Sequence, residues 1–127
     1  MERKSNFFVC KRCGNLVNLI HSSGVVMSCC DERMENMEPK YTDEGGEKHT
    51  PIIKKEGDVV RVDVGKIYHP MTEEHNIGWV ALVTNKGTHR RILIHGEEPI
   101  ARFHLVDELP IAAYSYCNKH GLWKTHV

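Results

Sequence analysis

From Pro51 onward the chain alternates apolar and polar positions with a period of two. Val60, Val62 and Val64 are interleaved with Arg61 and Asp63, and Ala101, Phe103 and Leu105 with Arg102 and His104. This period marks half-buried β-strands, because successive side chains leave opposite faces of a sheet. Ile77, Trp79, Ala81 and Val83 form another such set. Asn85-Lys86-Gly87 is a turn signal that joins that strand to Thr88–His95 as a hairpin. His95-Gly96-Glu97-Glu98-Pro99 is the next break, and further strands are expected over Ile111–Tyr116 and Leu122–Thr125. Short strands separated by turns in this way predict an antiparallel sandwich. No amphipathic helix and no internal repeat stand out.

The first part of the chain reads differently. Short β-like runs, Phe7-Phe8-Val9, Leu16–Ile20 and Val25-Val26-Met27, surround Cys10-Lys11-Arg12-Cys13-Gly14 and a Ser22-Ser23-Gly24 turn, and end at Cys29-Cys30. So short a section cannot bury enough apolar surface to fold well alone, and a metal held by its cysteines would staple it. Residues 36–48 are polar and Gly-rich, with Thr42-Asp43-Glu44-Gly45-Gly46 at their centre, and read as a linker or long loop. The expected organisation is therefore a small unit over 1–37 and a β domain over 38–127, with 38–48 as the connecting loop.

Composition narrows the function classes. The 127 residues carry 17 Lys+Arg and 17 Asp+Glu, so the net charge is zero, and no basic surplus suggests a nucleic-acid partner. No apolar run approaches the roughly 20 residues that span a bilayer. The polar start, Met1 to Asn6, lacks the apolar core of a signal peptide, so a soluble cytoplasmic protein is expected. In that compartment thiols stay reduced, and the five cysteines are better read as metal ligands or redox groups than as disulfides.

Cys10-x-x-Cys13 is a chelating pair, and Gly14 suits the bend that follows. Cys29 and Cys30 supply two more thiolates, and four thiolates suit tetrahedral zinc or iron alike. Neighbouring strand residues point to opposite faces, so both can reach one ion only if the backbone bends there, giving a distorted tetrahedron.

A second set lies further on. His49 ends the linker, His69 and His75 bound a loop stiffened by Pro70, and Cys117-x-x-His120 forms a two-ligand turn. Four imidazoles and one thiolate are too many for a structural zinc and suit iron with one position open. Taken singly, each histidine also reads as an ordinary surface or hydrogen-bonded residue. His21, His89, His95, His104 and His126 are assigned to that bland class. Met71, Trp79 and Trp123 read first as packing residues.

The motifs Cys10-x-x-Cys13-Gly14, Cys29-Cys30, Glu47-Lys48-His49, His69-Pro70-Met71 through His75, and Cys117-Asn118-Lys119-His120-Gly121 together resemble the desulfoferrodoxin, or two-iron superoxide reductase, family. They occur in family order and cover nearly the whole chain. The resemblance implies an all-β chain, with a desulforedoxin-like Fe(Cys)4 unit and an immunoglobulin-like sandwich. Cys10, Cys13, Cys29 and Cys30 would hold one iron, for which zinc is a possible substitute. His49, His69, His75 and His120 would surround a second iron in a plane, with Cys117 axial and the sixth position open to superoxide. Glu47 would occupy that position in the resting ferric state, and Lys48 would attract the anion and help deliver a proton. The family reading adds a homodimer, an electron donor such as rubredoxin, and a role in oxygen detoxification. One departure is Glu73-Glu74 before His75, where a lysine stands in relatives, which makes the approach less positive. The nearest alternatives are an iron electron carrier without substrate turnover and a purely structural zinc protein.

Overall fold

A computed structural model describes residues 4–41 and 46–127, apart from the side chains of Gly46 and Glu47. The centre of the expected linker, Thr42 to Gly45, lies outside the described residues. Two compact units result, Met1–Pro39 and Lys40–Val127.

The first unit is built from two-residue and three-residue strands: β1 (Phe7–Val9), β2 (Leu16–Asn18), β3 (Ser28–Cys29), β4 (Glu32–Arg33) and β5 (Glu35–Asn36). β1 is central, paired antiparallel with β2 and β5, and β3 pairs with β4. Its buried apolar residues, Phe7, Cys10 and Met34, are few. Polar anchoring compensates in part. Asn36 Nδ2 donates to the carbonyls of Ser5 (2.9 Å) and Phe7 (3.1 Å), and Ser5 Oγ donates to that of Met37 (2.8 Å).

The second unit opens with one helical turn, α1 (Gly46–His49), inside the stretch expected to be loop. Seven strands follow: β6 (Pro51–Glu56), β7 (Val59–Val64), β8 (Ile77–Thr84), β9 (Gly87–Ile92), β10 (Ile100–His104), β11 (Pro110–Cys117) and β12 (Gly121–His126). They form two antiparallel sheets, ordered β10-β7-β6 and β12-β11-β8-β9, the antiparallel sandwich expected from the alternation and immunoglobulin-like as the family resemblance implied. The fold is all-β. No helix among the described residues is long and apolar enough to cross a membrane.

Between the sheets lie Val60, Val62 and Val64 from β7, Ala101 and Phe103 from β10, Val80 and Leu82 from β8, and Ala113 and Cys117 from β11. β8 corrects one expectation. Its core side chains are Ile77, Val80 and Leu82, whereas Trp79 is half-exposed and stacks on Tyr116 (5.6 Å between centroids, 6° between planes). A register shift between Tyr116 and Cys117 rephases the start of the strand, and the apolar residues on both its faces hide this from a period count. Trp123, by contrast, is buried as expected, and Met71 packs on the core, its sulphur accepting the Ile77 N–H (3.4 Å).

Outside the β10-β7-β6 sheet, buried Asp63 is held by three bonds. Arg61 Nε (2.7 Å) and Nη2 (3.0 Å) and Lys54 Nζ (3.0 Å) donate to it. Burial alone would raise its pKa, but these cations outweigh it and hold the carboxyl below the usual carboxylate value. The group binds its proton more weakly folded than unfolded. Its contribution is therefore complete above about pH 4 and fades as the pH falls through the lower folded value. Asp63→Asn is expected to cost about 2 kcal/mol at neutral pH and to flatten the acid limb of stability in urea titrations from pH 7 to 2. An unchanged acid limb would show that the carboxylate is not the group involved.

Candidate metal centres

In the first unit, two tight turns aim the four thiols inward. Cys10 N–H donates to Asn15 O (2.8 Å) and Gly14 N–H to Cys10 O (2.9 Å), and Gly14 supplies the positive φ (84°) that folds the Cys10–Cys13 loop back. The bend expected at Cys29-Cys30 is present: Cys30 and Asp31 have φ of 53° and 59°, the two-residue turn of the β3–β4 hairpin. As a result the Sγ atoms of Cys10, Cys13, Cys29 and Cys30 all lie within 4.8 Å of one another, with Cys13 and Cys29 at 3.6 Å and Cys29 and Cys30 at 3.9 Å. Cys10 is buried, while Cys13 and Cys30 are exposed.

These thiols do not ionise alike. The backbone N–H of Cys13 favours the thiolate of Cys10 and lowers its pKa to about 7. Cys29 is pushed up by its neighbours Cys13 and Cys10, and Cys30 is pushed up to about 12 by Cys13, Cys10 and Cys29. One thiol is thus ready to lose its proton, and further ionisation is resisted until a cation offsets the accumulated charge.

The second cluster gathers side chains from four segments at one end of the sandwich. His49 ends α1, and Ser115 Oγ donates to its carbonyl (2.6 Å). His69 closes the turn after β7, its N–H donating to Val64 O (2.9 Å). His75 is held by Thr72, whose Oγ1 accepts its N–H (3.1 Å) and donates to its carbonyl (3.1 Å). Cys117 ends β11, and its Sγ accepts the N–H of His120 (3.4 Å). Asn118 ties the last two segments together, accepting from Asn76 N–H (3.0 Å) and donating to Glu74 O (2.8 Å).

The four imidazoles close a ring. His49–His69, His69–His75, His75–His120 and His120–His49 have centroids 4.6, 4.6, 5.1 and 4.8 Å apart, with planes inclined at 70°, 81°, 72° and 84°. One nitrogen from each ring and Cys117 Sγ lie within 4.8 Å of one another. The fold thus brings together all five residues that the motifs singled out. Lys48 is exposed next to His49, and its charge is felt at His75. The Glu47 side chain lies outside what is described.

The donor set fits a metal ion. His69 Nδ1 faces Pro70 O at 2.7 Å, which makes it the protonated nitrogen and leaves Nε2 as a lone pair. That Nε2, and that of His75, are buried without a hydrogen-bond partner in the protein, a costly state unless a cation accepts both. Metal–ligand bonds of roughly 2.0–2.3 Å place opposite donors about 4–4.6 Å apart, close to the observed span. Burial, then the charges of His49, His75 and His120, lowers the pKa of His69 to about 4, and burial followed by His120 and Lys119 lowers that of His75. In both rings the neutral form that ligation requires is thereby favoured.

The supports Ser115, Thr72, Asn118 and Trp123 were not among the site residues expected from sequence. Trp123 stacks on His49 (4.8 Å, 18°). Asn118 and Thr72 alone had a signal, their places inside the Cys117–His120 and His69–His75 motifs.

Fold and site together define a class: two small all-β units, each carrying one cluster able to hold a metal ion. The Desulfoferrodoxin family profile matches residues 41–126. A desulfoferrodoxin homolog of Archaeoglobus fulgidus is 42% identical over 125 residues, covering 98% of this chain and 99% of its own. A superoxide reductase of Pyrococcus abyssi is 37% identical over 106 residues, covering 69% of this chain and 92% of its own. The crystal structure of the superoxide reductase from Treponema pallidum superposes with a TM-score of 0.80 at 33% identity, covering 98% of this chain and 99% of that one. The chain belongs to the desulfoferrodoxin family.

Because an ion must displace thiol protons, the apparent affinity of the four-cysteine cluster for zinc is expected to rise about tenfold or more per pH unit from pH 6 to 8. Competition titrations of the metal-free protein against a chelator of known proton affinity would measure it, and a flat profile would mean the thiols are already ionised.

Proposed function

We propose that the chain is a superoxide reductase, reducing superoxide to hydrogen peroxide at an iron held by His49, His69, His75, His120 and Cys117. The observation that carries this reading is the closed ring of four imidazoles beside a buried thiol, with two nitrogens unpartnered. Family membership and relatives named superoxide reductase support it. When bound, the iron supplies one electron and, with five protein donors, one coordination position for the substrate. Each superoxide takes up that electron and two protons to give one hydrogen peroxide, and no oxygen forms.

The protein's own residues set the conditions. Cys117 is fully buried, so its sulphur adds negative charge on a side closed to water. His49 and His69 are buried too, whereas His120 is exposed and His75 partly so, and an anion therefore arrives from the His75–His120 side. Lys48, exposed beside His49, raises the local concentration of that anion and aids proton delivery to it. Glu47 is proposed to close the substrate position in the resting state. Cys10, Cys13, Cys29 and Cys30 hold a second iron, with zinc as its substitute. The same reading makes the protein a cytoplasmic homodimer that draws its electron from rubredoxin or a similar carrier.

Stoichiometry tests the activity. The anaerobically reduced, iron-loaded protein is expected to yield one peroxide per superoxide, with oxygen only from spontaneous dismutation. Half as much peroxide with matching oxygen would indicate a dismutase, and no acceleration an electron carrier.

Lys48→Ala is expected to slow the bimolecular reaction about tenfold or less at low salt and to flatten its dependence on ionic strength, since steering by one charge is screened. Stopped-flow rates across a salt series would reveal this, and identical slopes for the two proteins would remove Lys48 from the mechanism.

A further inference from the structure

Lys40 belongs to none of the ligand motifs, yet it touches His120 itself and Trp123, the support of His49. Its backbone is fixed to β12 opposite Trp123: its N–H donates to Leu122 O (2.8 Å), and Lys124 N–H donates to its carbonyl (2.9 Å). Its side chain then reaches in two directions. Nζ donates to the carbonyl of His120 (3.0 Å) and stands 5.5 Å over the Trp123 ring. Trp123 is stacked on His49, and His49 Nε2 faces His120 Nδ1 at 3.0 Å. Lys40, Trp123, His49 and His120 therefore close a circuit in which one ammonium bears on two of the four imidazoles.

We propose that Lys40 is a positioning residue for the histidine–cysteine centre, fixing the His120 peptide and the Trp123 ring and setting a positive charge beside the metal. This rests on the reading that the cluster holds an ion. Three features argue for it. An ammonium bonded to the carbonyl of a ligand residue restrains that residue from outside the cluster, as outer partners of metal ligands do. A cation over an indole face is attracted by the ring and orients the plate against which His49 lies. The ammonium is also bonded to the backbone of one of the five residues, so its field favours the less positive state of a bound ion and raises its reduction potential. The boundary between the two compact units falls between Pro39 and Lys40, so the peptide that joins them carries this clamp. Pro39 restricts the backbone just before it.

The test compares the wild-type protein, Lys40→Met and Lys40→Arg. Methionine keeps an unbranched side chain and removes the charge and the donor, while arginine retains both. Three quantities are read: the thiolate-to-iron absorption of the histidine–cysteine centre, its reduction potential by spectroelectrochemical titration, and the rate at which cobalt-loaded protein loses that ion to EDTA. Lys40→Met is expected to lower the potential, shift the band and release cobalt from this centre about three- to tenfold faster, the range that loss of one hydrogen bond implies. Lys40→Arg is expected to restore the potential, and the absorption of the four-cysteine centre, an internal control for folding, to stay constant in all three proteins. The proposal is overturned if Lys40→Met matches the wild type in potential and release, or if Lys40→Arg is shifted as far as Lys40→Met. A wild-type protein that takes up no ion at these five residues would overturn the underlying reading of the cluster, and the role of Lys40 with it.

Discussion

The second unit is organised around one electrostatic difficulty: four imidazoles and a thiol forced edge to face, two of the ring nitrogens cut off from water. Without a cation this arrangement is unfavourable, because the lone pairs of His69 and His75 lose their hydration and gain no donor. The sandwich sustains it by rigidity. The five residues sit at strand ends and in short turns whose backbones are pinned by Ser115, Thr72 and Asn118. The core that fixes those strands includes Cys117 itself, which is both a packing residue and a member of the five-residue cluster. A defect in the packing of β11 would therefore displace the Cys117 sulphur as well.

The two clusters solve the same problem by opposite means. In the first unit the four cysteines are close in sequence, and two tight turns are enough to converge them, so little core is needed. There an ion would do much of the folding itself. In the second unit His49 and His120 are 71 positions apart and meet only because two sheets are already packed. Binding there draws on folding energy supplied by the apolar core.

That contrast explains what the sequence revealed. The four-cysteine site was legible because its geometry is local: the Cys10-x-x-Cys13 spacing and the need for a kink at Cys29-Cys30 follow from backbone sterics alone. The strands from β6 to β12 were legible from alternation. The five-ligand set was not, since any of the histidines could have been a surface residue, and the order of motifs shared with a family selected them. Three features left no sequence trace. The inward face of β8 depends on a register shift opposite Cys117. The helical turn that ends in His49 falls in a Gly-rich stretch without periodicity. The contacts of Lys40 and Trp123 with the cluster join residues 80 and 74 positions from their respective partners, His120 and His49.

The charge balance bears on how an anion would reach such a site. With 17 cationic and 17 acidic side chains the whole molecule exerts no net attraction. Fields in physiological salt decay over about 8 Å, so only charges near the ring can act. Lys48 and Lys119 are near enough to lower the pKa of His75, while Glu73 and Glu74 precede that histidine on an exposed loop. The approach is thus a local contest, in which two lysines at the exposed edge of the ring are opposed by two glutamates beside it. Lys40 differs from those two lysines in being held: its ammonium is bonded to the His120 carbonyl and stands over the Trp123 face.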